Sequence, residues 1–112
     1  MNKQITFTHD GKEYTLEYTR NTVRQMERQG FVAEDVEQKP MVALDLFKGA
    51  FIKHHPSVSD ERKETIYDAL EGKKELITAL FEMYADTVKT LMAEPEKGKN
   101  VKWTPNWRKE EA

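Results

Sequence analysis

The hydrophobic and polar residues near the N-terminus alternate as they do in a β-hairpin. Two segments of this kind, Gln4–Thr8 and Glu13–Tyr18, lie on either side of the dipeptide Asp10-Gly11. An Asp-Gly pair favours a two-residue turn of type I′, because both central residues of that turn have positive φ. The pattern therefore predicts two antiparallel strands joined by a tight turn.

The apolar side chains also predict the register of this hairpin. With Asp10-Gly11 as the turn, Phe7 faces Tyr14 and Ile5 faces Leu16, so these four side chains share one face. A shift of one residue would move one strand's apolar side chains to the opposite face. Two strands alone are marginally stable, so we expect helices to cover the apolar face.

Four helical segments follow the hairpin, near residues 20–29, 41–54, 60–70 and 73–92. Thr19 or Asn21 can cap the first helix, Pro40 suits the first turn of the second, Ser59 can cap the third, and Gly72 separates it from the fourth. The segment 31–39 is either a short helix or an extended linker. These elements predict a single α+β domain over residues 1–92, with a hairpin packed on about four helices and a flexible tail over residues 93–112.

The fourth helix has an apolar arc that covers about half of its circumference, whereas a surface helix usually has a stripe of about a third. Such an arc needs two neighbouring elements, or one neighbour and a partner. The hairpin and the second helix are expected to cover Leu76, Ile77 and Phe81. The remaining apolar positions either belong to the core as well, as an apolar stripe at helical spacing usually does, or bind a partner. The candidates for partner binding are Leu80, Met83, Tyr84, Val88 and Leu91, with Met92 at the end of the arc.

The tail is rich in Pro, Gly, Lys and Glu but contains two tryptophans, Trp103 and Trp107. One interpretation is that the tail folds back and buries both indoles against the domain. The other is that the tail is a short partner-binding segment, because tryptophan is enriched at binding hot spots. Both interpretations remain open from the sequence, and both tryptophans join the candidates for partner binding.

Composition excludes several kinds of function. The chain has no cysteine, which rules out disulfides and thiolate metal sites, and its formal net charge of −2 does not favour nucleic-acid binding. The N-terminus lacks the apolar segment of a signal peptide, and no apolar run approaches the ~20 residues of a membrane span. We therefore expect a soluble cytoplasmic protein that binds neither nucleic acid nor membrane.

No motif in the sequence indicates an enzyme, a cofactor or a metal. His54 and His55 are adjacent at the end of a predicted helix, where we interpret them as cationic residues favoured by the helix dipole. None of the many carboxylates has the apolar surroundings that raise a pKa for acid–base catalysis. Five of them are interpreted as a solvated helix face: Glu61, Glu64, Asp68, Glu71 and Glu75. Gly49, inside the second helix, is predicted to permit close packing of another helix. No catalytic residue is predicted.

Three segments together resemble a family of small proteins encoded in the tail modules of long-tailed bacteriophages and prophages. They are QITFTHDGKEYTLEYTRNTVRQMERQGF, PMVALDLFKGAFIKHHP and ETIYDALEGKKELITALFEMYADTVKTLM. The similarity covers residues 3–92 and is one of element order and residue character, without a catalytic signature. In character these proteins look like tail assembly chaperones.

The resemblance implies a protein without enzymatic activity. A tail assembly chaperone binds the long, helical tape-measure protein, keeps it soluble, and gives way as the tail tube protein polymerises around it. The wide apolar arc also makes a homo-oligomer plausible. The alternative function is a structural one, as a minor tail or head–tail joining protein of a phage or prophage.

Overall fold

The computed structural model describes residues 3–107, which form a two-stranded hairpin followed by four α-helices. This confirms the predicted α+β fold. The residue ranges are β1, Ile5–His9; β2, Lys12–Leu16; α1, Arg20–Arg28; α2, Pro40–Gly49; α3, Asp60–Ala69; and α4, Lys73–Lys89. A short 3-10 helix, Ala33–Asp35, occupies the segment between α1 and α2 whose structure the sequence left open. None of the helices within the described residues is long and apolar enough to cross a membrane.

The hairpin has the predicted turn and register. Asp10 and Gly11 have φ angles of 52° and 76°, as a type I′ turn requires. Phe7 pairs with Tyr14, and Ile5 pairs with Leu16. Next to the turn, both strands extend one residue further than predicted, because the ladder continues up to the turn residues. At the outer ends they are one and two residues shorter than predicted.

The outer edge of β2 has no third strand beside it and instead meets the C-terminal end of α2. The backbone N–H of Glu17 donates to the carbonyl oxygen of Ala50 at 3.1 Å. The phenolic hydroxyl of Tyr18 donates to the carbonyl oxygen of Leu46 at 2.5 Å. The last carbonyls of a helix lack partners within it. Both bonds therefore satisfy carbonyls at the end of α2, and the Glu17 bond also satisfies an outward-facing N–H of the hairpin.

α2 ends at Gly49, so the predicted end near residue 54 is wrong. From Gly49 onward the backbone bonds tighten from the helical spacing of four residues to three: Ala50 N–H to Phe47 O, Phe51 N–H to Lys48 O, and Ile52 N–H to Gly49 O. The carbonyls of Leu46 and Ala50, which a continuing helix would use internally, bond to the end of β2 instead. The apolar pattern of the sequence does not show that the helix ends here, because Phe51 stays buried in the turn that follows.

The core lies between the hairpin and the four α-helices. Its centre is a group of aromatic rings in which Phe47 contacts Phe51 and Tyr67, with centroid separations of 5.1 Å in both cases. Tyr14 of the hairpin packs edge-on against Phe51 at 5.8 Å. The aromatic face of the hairpin thus joins that of α2, which fixes the orientation of the sheet on the helices.

The helix ends confirm several predicted caps. Thr19, one of the two candidates, caps α1 by accepting from the N–H of Thr22, whose hydroxyl in turn accepts from the N–H of Thr19. Gly30 has a φ of 93° just after α1, and the N–H of Phe31 reaches back to the carbonyl of Met26, as in a Schellman motif. Ser59 caps α3 as predicted.

Gly49 permits a close approach of α1 to α2, as predicted. A Cβ at Gly49 would lie 2.6 Å from Cε and 2.9 Å from Cγ of Met26. Met26 is itself buried, so its thioether could move only by disturbing the packing around it.

We expect Gly49→Ala to lower the free energy of unfolding by about 1–3 kcal/mol, because it overpacks this contact. Glycine to alanine within a helix ordinarily stabilises by about 0.5–1 kcal/mol, so the predicted sign is the reverse of the usual one. Urea denaturation of the wild type and the variant measures the change.

The matched control is the same substitution in a Met26→Ala background, where the thioether is gone. There Gly49→Ala should be neutral or stabilising. An equal loss in both backgrounds would show that the helix contact is not the cause.

Candidate partner-binding surface

The inward side of α4 is part of the core. Leu80, Met83 and Tyr84 are 0%, 4% and 5% exposed. Tyr84 packs edge-on against Tyr18, at 5.5 Å between ring centroids, and against Phe31 at 5.2 Å. These contacts attach α4 to Tyr18, between the hairpin and α1, and to Phe31, three residues after the end of α1.

The outer side of the same apolar arc is accessible. Phe81 is 39% exposed, and Leu91 and Met92 are 53% and 84% exposed. Val88, between them, is partly buried against the core. α4 ends at Lys89 rather than at residue 92, so Leu91 and Met92 lie in the turn that follows it.

The arc is thus divided lengthwise between core and surface, and two expectations need correction. Phe81 was expected in the core but lies on the surface, because it is about 100° around the helix from the fully buried Leu80, at the edge of the arc. Leu80, Met83 and Tyr84 were candidates for partner binding but are buried in this structure. Among the helix candidates, Leu91 and part of Val88 stay accessible. Partner binding by the accessible residues remains a prediction.

Polar contacts fix the position of the C-terminal end of α4. Lys3 forms an ion pair with Asp86 at 2.8 Å, and this contact lowers the pKa of the Asp86 carboxyl and raises that of the Lys3 amine. The guanidinium of Arg20 donates to the carbonyl oxygen of Thr90 at 3.0 Å. Both contacts are exposed to solvent, so their energies are small, but together they orient the chain as it leaves the helix.

The described part of the tail, residues 93–107, does not fold back onto the domain. Val101, Trp103 and Trp107 are 87%, 81% and 79% exposed. The radius of gyration is 18.0 Å and the longest dimension is 66 Å, whereas a compact domain of this length has a radius of about 13 Å. Of the two interpretations of the tryptophans, burial against the domain is therefore not observed. The predicted flexibility of the tail stays a prediction, and its residues 108–112 lie outside the described part of the chain.

A second cluster of polar side chains, which sequence analysis missed, joins β2 to the turn after α2. The carboxylate of Glu17 is buried and contacts Nε2 of His54 at 2.7 Å, and it accepts from the side-chain amide of Gln4 at 2.9 Å. The ring nitrogen Nε2 of His55 accepts from the backbone N–H of Thr15 at 2.9 Å. Because α2 ends at Gly49, neither histidine caps a helix, and the dipole interpretation is wrong.

The burial of Glu17 was not predicted, and its neighbours in the sequence are the signal that could have shown it. It lies between Leu16 and Tyr18, both fully or almost fully buried. Strict alternation places position 17 on the polar face, but the strand ends at Leu16 and the chain turns inward. The cluster links strand to turn. Within residues 3–107 no group of three or more His, Cys, Asp or Glu side chains could hold a metal ion.

The sequence matches the family described as Domain of unknown function (DUF5055) over residues 1–107. This match covers nearly the whole chain. The chain belongs to the DUF5055 family. No match is found among curated proteins or among solved structures.

The His55 contact predicts how the stability of this DUF5055 domain depends on pH. Only neutral imidazole can accept the Thr15 N–H, and burial, Lys12 and His54 lower the pKa of His55 below its ordinary value of 6.5. The folded state therefore binds fewer protons than the unfolded state, so stability falls as the pH decreases below about 6.5 and through the lowered pKa. Urea denaturation from pH 8 to pH 5 measures this dependence.

His55→Gln is the informative variant, since an amide oxygen can accept the same N–H without titrating. We expect its stability to change less over that pH interval than that of the wild type. Parallel pH profiles for the two proteins would contradict the assignment of the effect to His55.

Proposed function

We propose that the protein is a phage tail assembly chaperone that binds the tape-measure protein and keeps it soluble. The observation that carries the proposal is the concentration of accessible apolar side chains at the C-terminal end of the described chain. They are Leu91, Met92, Val101, Trp103 and Trp107, each more than half exposed. The similarity of residues 3–92 to tail-module proteins supports the same function.

The chemistry of the tail suits a chaperone for amphipathic helices. Tryptophan and methionine contribute large apolar contacts, and methionine adapts its shape to different partners. Charged side chains separate these anchors, among them Lys97, Lys99 and Lys102, and keep the segment in water. A few anchors on such a segment give binding that the tail tube protein can displace when it polymerises around the tape-measure protein.

Co-expression with a tape-measure fragment from the same gene cluster tests this proposal. The intact protein should raise the soluble fraction of the fragment and co-purify with it. The double variant Trp103→Ser and Trp107→Ser should lose most of both effects, because each hot-spot truncation costs at least about 2 kcal/mol of binding. Unchanged solubility of the fragment and no co-purification with the intact protein would contradict the proposal.

Met41→Ser is the matched control, since Met41 is 65% exposed but lies at the start of α2. It removes a comparable apolar side chain and should leave co-purification unchanged. Mass spectrometry of purified virions addresses the alternative structural function. A chaperone is absent from the virion, and a stoichiometric amount there would instead favour a minor tail or head–tail joining protein.

A further inference from the structure

An apolar stripe runs along the exposed side of α4 and into the turn that follows it. Its members are Phe81, Ala85, Val88 and Met92, and we call them the outer stripe. Phe81, Ala85 and Val88 lie within α4, and their spacing of four and three residues matches the seam of a coiled coil. Met92 extends the stripe into the turn after the helix. Phe81 and Met92 are 39% and 84% exposed, Ala85 is exposed, and Val88 is partly buried. The stripe is therefore available to a second helix.

Two charges lie along one flank of the outer stripe. Glu82 and Lys89 are both exposed and are seven residues apart, so they lie on the same side of the helix two turns from one another. Among the described residues neither forms an ion pair within 4.0 Å. Glu82 contributes to the field at Lys3, and Lys89 contributes to the field at Asp86, both without direct contact.

This arrangement is complementary to itself when two copies of α4 run antiparallel. If a two-fold axis passes beside Ala85, Phe81 of one copy lies near Val88 of the other, and Met92 lies near Thr78. Glu82 of each copy then lies opposite Lys89 of its partner, which gives two ion pairs related by the axis. A two-fold interface requires this kind of self-complementary patch.

The residue at the centre of the stripe favours the same pairing. Ala85 is the smallest side chain of the four, and the axis brings it against its own copy. A small residue at that point lets the two helices approach, while Phe81 and Val88 pack on either side. A bulky or charged residue there would meet its own copy across the axis and keep the helices apart.

We propose that the outer stripe of α4 is a homodimer interface in which two copies pack antiparallel through Phe81, Ala85, Val88 and Met92. The partner is a second copy of this chain, because the charges beside the stripe become complementary when two copies of the helix run antiparallel. About three helical turns bury less than the 1,200–2,000 Å² typical of a stable complex, so the dimer is expected to be weak and dependent on concentration. The proposal does not depend on the chaperone function.

Analytical ultracentrifugation of the full chain at low salt tests it by charge exchange. Across about 5–500 μM, a range suited to dissociation constants near 10–100 μM, the wild type should shift from monomer toward dimer. Glu82→Lys and Lys89→Glu should each raise the dissociation constant about tenfold or more, since each places like charges together twice per dimer. The double variant Glu82→Lys with Lys89→Glu should restore the wild-type value.

Two further variants complete the experiment. Ala85→Glu should give a monomer throughout the range, and Glu13→Lys, an equal charge change on the polar side of the hairpin, should leave the dissociation constant unchanged. Circular dichroism and thermal unfolding of each variant confirm that it folds. A wild-type protein that stays monomeric throughout, or a double variant no tighter than the single variants, would overturn the proposal. If the outer stripe binds only a tape-measure helix, the wild-type protein stays monomeric throughout.

Discussion

The structure depends on how a two-stranded sheet satisfies the edge that no third strand covers. Alternation along the hairpin directs the N–H groups of Thr15 and Glu17 away from β1, toward α2 and the turn after it. There they donate to Nε2 of His55 and to the carbonyl of Ala50. A buried N–H without a partner costs about 1–3 kcal/mol, so the edge could not pack against apolar helices without these acceptors.

This junction determines what the remaining elements can do. Carbonyls that bond to β2 are withdrawn from α2, so that helix ends at Gly49 and the following turn brings His54 to the buried carboxylate of Glu17. Tyr18 then lies against both the end of α2 and Tyr84 of α4. Burial raises the pKa of its phenol well above 10, which keeps the hydroxyl as a donor.

Once the inward side of α4 has packed on this assembly, its outer side has no neighbour among the described elements. A small domain has too few helices to cover an arc as wide as half a turn. The exposure of these apolar residues therefore depends on the small number of helices as much as on the sequence. Phe81 and Met92 lie on α4 and in the turn after it, and Trp103 and Trp107 extend the accessible apolar surface along the tail. One end of the chain therefore offers two kinds of contact, a helix face and an extended segment.

Much of the fold could be predicted because its signals are local. The Asp10-Gly11 turn fixes a register that the apolar side chains confirm, and Thr19 and Ser59 cap the helices that follow them. The end of α2 could not be predicted, because it is decided by bonds to residues more than 25 positions away. The roles of His54 and His55 depend on that end and were missed with it.

The candidate surface was predicted in part. The width of the arc on α4 raised the question of a partner but did not divide the arc between core and surface. It could not show which edge of the arc remains outside, because that depends on where α1 and Phe31 lie relative to Tyr84. Exposure of Trp103 and Trp107 was one of two open alternatives, since composition alone does not distinguish a tail that docks from one that extends.

Amide hydrogen exchange measured by NMR tests the account of the β2 edge most directly. Glu13, Thr15 and Glu17 all direct their N–H groups to this same edge, but Glu13 lies beyond the reach of α2 and is exposed. We predict that the amides of Thr15 and Glu17 exchange nearly as slowly as the slowest core amides and that Glu13 exchanges rapidly. Rapid exchange at all three positions would show that α2 and its following turn do not satisfy this edge, and would contradict the account.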